Sequence, residues 1–167
     1  MRTVRVQDYV FGGGFFGGDN QVPLRASGFA GDSGADALAA AIGLGTDIIL
    51  LGRSTFEELE RTWLPVQRSP DALVDLKRLA QLLTNTTKIV FSRTLKESEW
   101  EHTSLFDSDP VQVVSKLKRG NGGAILILGS ESIVRQLASA DLIDEYVLMQ
   151  ELWRPLLDAR KRAEMIL

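Results

Sequence analysis

The sequence predicts an α/β protein with a mostly parallel sheet that is flanked by helices on both faces. Short, mainly apolar runs at 48–51, 88–91 and 124–128 have the length and composition of strands buried on both sides. Segments with apolar residues at helical spacing lie between them, and strands that alternate with helices form parallel sheets. The length of 167 residues and the hydrophobic content of 44% fit one globular domain over residues 1–167.

The other predicted elements continue this alternation. Val4, Val6 and Val10 mark a first strand, and the Gly-rich segment at 11–34 is typical of a long loop. A last strand is predicted at 143–149, and Pro65 and Pro70 bracket a connection. The helices are expected at 36–42, 55–62, 71–83, 110–118 and 131–139.

Composition excludes several classes of function. The net charge of -3 argues against general nucleic-acid binding, which needs a basic surface. No run approaches 18 apolar residues, and the amino-terminal segment does not resemble a secretory signal, so no membrane span is expected. The absence of cysteine suits a cytoplasmic location. With His102 as the single histidine, neither a histidine-based metal site nor a Ser-His-Asp triad is expected.

Three predicted strands end in corners of the same kind. The corners are Gly52-Arg53-Ser54-Thr55, Ser92-Arg93-Thr94 and Gly129-Ser130-Glu131-Ser132. Parallel strands place such corners on one edge of the sheet, where ligands of α/β proteins bind. Helix N-termini offer free N–H groups to anions, and arginine adds a permanent cation. The pattern predicts a shared site for a polyanion.

The first corner also has a purely structural interpretation. Gly52 allows a tight turn, and the spacings Ser54 to Glu57 and Thr55 to Glu58 both fit the capping box that stabilises a helix start. Glycine and serine are common turn formers in any protein. The residues alone leave both interpretations of the corner open.

Four stretches resemble, in order, the dihydrofolate reductase fold and, within it, the reductase-domain family of bacterial riboflavin biosynthesis. They read IILLGRSTFEEL, KIVFSRTL, AILILGSESIVRQL and LIDEYVLM. The resemblance implies an NADPH site. It implies that Gly52, Arg53, Ser54 and Thr55 hold cofactor phosphates, and that Ser92 and Arg93 lie near the adenosine 2′-phosphate. The pyrophosphate is then held by Gly129, Ser130, Glu131 and Ser132.

The same resemblance implies a substrate of the pterin or ribosylated pyrimidine class. Dihydrofolate reductases carry an acidic residue on the first helix, sixteen residues before the glycine of Gly-Arg, and that count reaches Asp36 from Gly52. A carboxylate can accept two parallel hydrogen bonds from an N–C–N edge. Asp36 is therefore the candidate catalytic residue, although a residue at that position also suits a helix cap.

The carboxyl-terminal segment departs from that family. The usual glycine-rich turn is replaced by Leu157-Asp158-Ala159-Arg160, and the expected last strands would be shortened. A sheet edge left open in this way predicts self-association as a homodimer. The departure also leaves a second hypothesis open, in which the protein is a catalytically degenerate nucleotide-binding protein of the same fold.

Overall fold

A computed structural model of the protein describes residues 1–10, 39, 40 and 42–150, apart from the side chains of residues 8–10 and 147–150. Asp36, the Gly-rich segment at 11–34 and the departure at 157–160 lie outside the described residues. Of the helix predicted at 36–42, the described residues 39, 40 and 42 are helical.

The described elements alternate as predicted. The strands are β1 (Val4–Val10), β2 (Thr46–Gly52), β3 (Thr87–Phe91), β4 (Thr103–Phe106), β5 (Ala124–Leu128) and β6 (Glu145–Gln150). The helices are α1 (Arg53–Arg68), α2 (Val74–Asn85), α3 (Pro110–Arg119) and α4 (Glu131–Ser139).

The strands form a six-stranded sheet in the order β4-β3-β2-β5-β1-β6. Every neighbouring pair is parallel. The predicted α/β class and the parallel sheet are therefore confirmed. All strands start at one edge of the sheet, here called the amino edge, and end at the opposite edge, here called the carboxyl edge.

Each face of the sheet carries its own apolar core. In β2, Ile49 and Leu51 pack in a cluster with residues of α1 and α2, whereas Ile48 and Leu50 pack in a cluster with residues of α3 and α4. Helices cover both faces, so an apolar residue at any position of an interior strand is buried and stabilises the fold. This double burial explains the continuous apolar runs that identified the strands.

Helix α1 is longer than predicted. It begins at Arg53 and ends at Arg68, so Pro65 lies inside it and the predicted end at residue 62 is wrong. Proline in a helix interior removes one backbone hydrogen bond. The buried Trp63 and the packing of Leu64 and Val66 against the core hold this last part of the helix in place.

Strand β4 was not predicted. It pairs with β3 at the sheet's edge, with Lys88 opposite Thr103 and Phe91 opposite Phe106. Ser104 is exposed and its neighbours are only partly buried. An edge strand of four residues has too few buried positions to show as an apolar run.

Two aspartates fasten the amino edge. Asp47 accepts hydrogen bonds from Arg2 Nη2 (2.7 Å) and from the backbone N–H of Gly123 (2.9 Å). Asp144 accepts from the backbone N–H of Val4 (2.8 Å) and from Lys118 Nζ (2.7 Å). Desolvation tends to raise the pKa of Asp144, but the bonds from Lys118 and Val4 outweigh it and hold that pKa below its usual value.

Lys88 is fully buried at the start of β3. Its Nζ donates hydrogen bonds to the carbonyl oxygens of Leu83 (2.8 Å), Thr84 (3.0 Å) and Thr86 (2.8 Å). It also lies 4.7 Å from the centre of the Trp100 ring. The cation thus satisfies carbonyls at the end of α2, where a positive charge is favourable. Burial lowers the pKa of Lys88 to about 8, although the Glu101 carboxylate acts in the opposite direction.

Candidate functional site

The Gly52 corner passes directly from strand to helix. Gly52 is both the last residue of β2 and the N-cap of α1, in an extended conformation. No side chain caps this helix, so the predicted capping boxes at Ser54 and Thr55 are not formed. The reason is position: the helix starts at Arg53, so both hydroxyl residues lie within its first turn. That turn has no acidic residue, and its free N–H groups are not neutralised by a side-chain carboxylate.

The Ser92 corner is held by its own hydroxyl group. Ser92 Oγ accepts hydrogen bonds from the backbone N–H groups of Thr94 (3.2 Å) and Leu95 (2.9 Å). The backbone N–H of Ser92 donates to the carbonyl oxygen of Phe106 (2.8 Å), which ties the corner to β4. Arg93 at the tip is exposed. Ser92 thus shapes the turn that presents Arg93.

The Gly129 corner contains two consecutive residues with positive φ. Gly129 has φ 57°, and Ser130 has φ 65° and ψ 70° in the left-handed region. Ser130 is the N-cap of α4 without a side-chain bond to the helix. Glu131 forms an ion pair with Arg135 one turn along α4, so its charge is partly compensated. A serine at such a φ carries strain that glycine would not.

The Gly52 and Gly129 corners touch each other. A Cβ atom added to Gly52 would overlap Ser130 Oγ and lie 3.1 Å from Ser130 Cβ and 3.8 Å from Ile133 Cδ1. The N-termini of α1 and α4 therefore converge next to β2 and β5, which are neighbours in the sheet. Position 52 has no room for a side chain while Ser130 keeps its conformation.

A pocket of about 740 Å³ at the carboxyl edge unites the three corners. Of the ten predicted cofactor-binding residues, all but Gly129 line it, and Gly129 directly precedes Ser130 in the chain. The nine are Gly52, Arg53, Ser54, Thr55, Ser92, Arg93, Ser130, Glu131 and Ser132.

A fourth corner, which was not predicted from the sequence, completes the pocket. It follows β4 and consists of Asp107, Ser108, Asp109 and Pro110, with Phe91 and Phe106 beneath. Asp109 caps α3, because its Oδ1 accepts from the backbone N–H of Val111 (2.9 Å). The Asp-Pro helix start was visible in the sequence. Strand β4, which places this helix start at the carboxyl edge of the sheet, was not predicted, so the sequence did not indicate that Asp109 lies beside the other three corners.

The pocket holds two cations that have no ion-pair partner among the described residues. Arg53 and Arg93 are both exposed, and the ion pairs that the described part of the chain forms involve other arginines and lysines. Two guanidinium groups, several hydroxyl groups and two free helix N-termini form a donor set suited to phosphate groups.

Gln7 is a further polar residue at this end of the sheet. It lies on β1 opposite Leu128, the last residue of β5. Its side chain is 1% exposed, and neither Nε2 nor Oε1 has a hydrogen-bond partner among the described residues. Buried amides normally find partners, so one without any requires an explanation.

Two other features of the described residues concern metals and membranes. No group of three or more metal-binding side chains comes together in that part of the chain. No helix within it is long and apolar enough to cross a membrane.

Comparisons with known proteins agree with this architecture. The family model of the RibD C-terminal domain matches residues 30–151, which is most of the chain. A Bacillus subtilis (strain 168) protein named "Uncharacterized protein YyaP" is 33% identical over 103 residues, or 61% of this chain and 52% of the relative. The chain thus spans about half the length of the curated relative that it matches. The chain belongs to the RibD C-terminal domain family, which has the dihydrofolate reductase-like fold.

Proposed function

We propose that this member of the RibD C-terminal domain family is an NADPH-dependent reductase of a small heterocyclic substrate of the pterin or ribosylated pyrimidine class. One observation carries the proposal. The carboxyl-edge pocket gathers two helix N-termini and two arginines without ion-pair partners in the described part of the chain. A donor set of this kind suits a ligand with several phosphate groups.

In this proposal the order of the strands sets the orientation of the cofactor. The pyrophosphate would lie between the N-termini of α1 and α4, where Gly52 and Ser130 meet. Arg93, beyond β2 on the β3 side, would then receive the adenosine end and its 2′-phosphate. The nicotinamide, which supplies hydride when the cofactor is bound, would extend in the other direction toward β1. In this proposal Asp36 binds the heterocycle and assists its protonation.

The second candidate is a catalytically degenerate nucleotide-binding protein. This candidate uses the same pocket, because the phosphate-binding corners would be kept, but it does not turn over a substrate. The Gly-rich segment at 11–34 and the departure at residues 157–160 are features of the sequence that favour it. The two candidates differ only in whether a bound cofactor transfers hydride.

The deciding experiment has two stages. In the first, NADPH is titrated into the protein and binding is followed by calorimetry, with Arg78→Ala as control because Arg78 is exposed on α2 and outside the pocket. In the second, NADPH oxidation is followed with a panel of pteridines and ribosylated pyrimidines. Binding with turnover supports the reductase, and binding without turnover across the panel leaves the degenerate protein. Absence of nucleotide binding contradicts both.

A homodimer in the cytoplasm is part of the proposal. β4 and β6 are the outer strands of the described sheet, and open strand edges are commonly paired or covered. The absence of cysteine is compatible with a reducing compartment. Sedimentation at tens of micromolar should give twice the chain mass of 18.4 kDa, and a monomer would contradict the dimer.

A further inference from the structure

The charges around the pocket do not all favour an additional phosphate. Its lining carries two arginines, Arg53 and Arg93, but also three carboxylates, Asp107, Asp109 and Glu131. The formal balance of these side chains is -1. A polyanion therefore meets both signs of charge, and the position of each carboxylate decides which part of the ligand it affects.

Two of the three carboxylates are engaged. Glu131 is paired with Arg135, and Asp109 caps the first turn of α3 through Val111. Asp107 differs from them, because it is exposed and has no hydrogen-bond or ion-pair partner among the described residues. Its negative charge is not balanced by a neighbouring cation within ion-pair distance in that part of the chain.

Strand pairing places Asp107 beside the Arg93 corner. Phe91 and Phe106 are opposite one another at the ends of β3 and β4, and the next residue of β3's corner, Ser92, donates its N–H to Phe106. Asp107 follows Phe106 directly, as Arg93 follows Ser92. Both side chains therefore belong to the end of the pocket that is farthest along the sheet from α4.

We propose that Asp107 is a specificity-determining residue that opposes a 2′-phosphate on the bound nucleotide and so limits the preference for NADPH over NADH that Arg53 and Arg93 create. The inference rests on the proposed function, since it assumes a dinucleotide in this pocket. A carboxylate repels a phosphate dianion and accepts a hydrogen bond from a ribose hydroxyl, so it penalises only the phosphorylated cofactor.

The test compares Asp107→Asn with Asp141→Asn. Both variants lose one negative charge, but Asp141 follows α4 at its far end, outside the pocket. Dissociation constants are measured for NADPH and NADH, and for adenosine 2′,5′-bisphosphate and adenosine 5′-monophosphate. We expect Asp107→Asn to tighten NADPH and the bisphosphate about three- to tenfold and to change NADH and the monophosphate less than about twofold. Asp141→Asn should change none of them by more than about twofold.

A salt series separates charge from shape. If repulsion is the cause, the gain in Asp107→Asn should shrink as salt rises toward 0.5 M, since exposed charges are screened. Asp107→Lys should strengthen NADPH binding further. Equal tightening of NADPH and NADH, or equal effects of Asp107→Asn and Asp141→Asn, would overturn the inference while the reductase proposal stands. If wild type and Asp107→Asn bind none of the four nucleotides, the proposed function fails and the inference fails with it.

Discussion

Two aspartates at the amino edge of the sheet are paired with cations, whereas the two arginines at the carboxyl edge have no ion-pair partner among the described residues. At the amino edge, Asp47 and Asp144 each bind a cation and a backbone N–H. At the carboxyl edge, Arg53 and Arg93 face an open pocket.

The difference indicates that ion pairs stabilise the amino edge, whereas the two arginines of the carboxyl edge are left for the proposed ligand. Pairing at the amino edge joins β1 to α3 through Asp144 and ties Arg2 to β2 through Asp47. Charges left without partners at the carboxyl edge gain little for folding, but they remain available to a ligand. Ser130 also lowers the stability of the carboxyl edge, because it holds a strained backbone conformation where the two corners meet.

The largest effect is expected from Gly52→Ala, which disrupts the carboxyl edge. The added Cβ would press on Ser130, and overpacking of this kind costs about 1–3 kcal/mol. The variant should also lose the stabilisation by NADPH, which is about 2.7 kcal/mol at one hundred times the dissociation constant. Thermal melts with and without NADPH measure both quantities.

The double variant Gly52→Ala/Ser130→Gly separates the overlap with Ser130 from the effect of the added methyl group on NADPH binding. Glycine at 130 removes the overlapping hydroxymethyl group and relieves the positive φ, which alone should stabilise the fold by about 1 kcal/mol. We expect the double variant to recover stability but not NADPH binding. A full NADPH-induced shift in Gly52→Ala would instead mean that the corner serves folding alone.

Arg93→Ala should weaken NADPH binding by about 1.5–3 kcal/mol, the contribution of a hydrogen bond to a charged group. NADH binding should weaken less, since it lacks the 2′-phosphate. The free energy of unfolding should hardly change, because Arg93 has no ion pair among the described residues. Titration of both cofactors into wild type and variant measures the difference, and equal losses would show that Arg93 does not recognise the extra phosphate.

Lys88 provides the corresponding test at the amino edge. Its pKa is about 8 in the folded protein and near 10.5 when unfolded. Between these values the unfolded lysine still holds the proton that the folded one has released. Wild type should therefore gain stability relative to Lys88→Met as pH rises from 8 to 10.5, by up to about 1.4 kcal/mol per pH unit. Below pH 8 both states are protonated, and the full cost of burying the cation remains.

Urea unfolding at several pH values measures this gain. Lys116→Met is the control, since Lys116 is an exposed lysine on α3. A difference between wild type and Lys88→Met that stays flat from pH 8 to 10.5 would mean that the three carbonyl oxygens keep Lys88 protonated throughout.

The smallest effect concerns helix caps. Ser54→Ala should cost less than about 0.5 kcal/mol, because Ser54 is exposed and no side chain caps α1. Asp109→Ala should cost about 1 kcal/mol, because it removes the bond to Val111 N–H that caps α3. Urea unfolding of both variants gives the comparison. A larger loss for Ser54→Ala would indicate that its hydroxyl does support the helix start.

Sequence patterns were sufficient for the elements that are buried on both faces. The apolar runs in β2, β3 and β5 and the corners after them were predicted, because parallel strands place their ends together. The edge strand β4 has too little burial to leave a pattern, and the Asp107 corner was missed with it. Of the two interpretations left open for the first corner, the capping boxes at Ser54 and Thr55 are not formed, because a capping-box spacing does not say where a helix begins. The sequence did not indicate the left-handed conformation of Ser130, because glycine and not serine is the residue typical of that conformation.

The position of β1 between β5 and β6 has a consequence for synthesis of the chain. Val4 pairs with Ile125 of β5, and Arg5 pairs with Glu145 of β6, so the first of the described strands pairs with the last two of them. At about 5–20 residues per second, a ribosome needs roughly 6–24 s to advance from residue 4 to residue 125. During that time β2, β3 and β4 can assemble with α1 and α2, while neither of the two strands that pair with β1 in the described sheet has been completed. Until β5 and β6 emerge, β1 lacks these two partners, and Val4 and Val6, which are buried in the finished fold, are available to a chaperone.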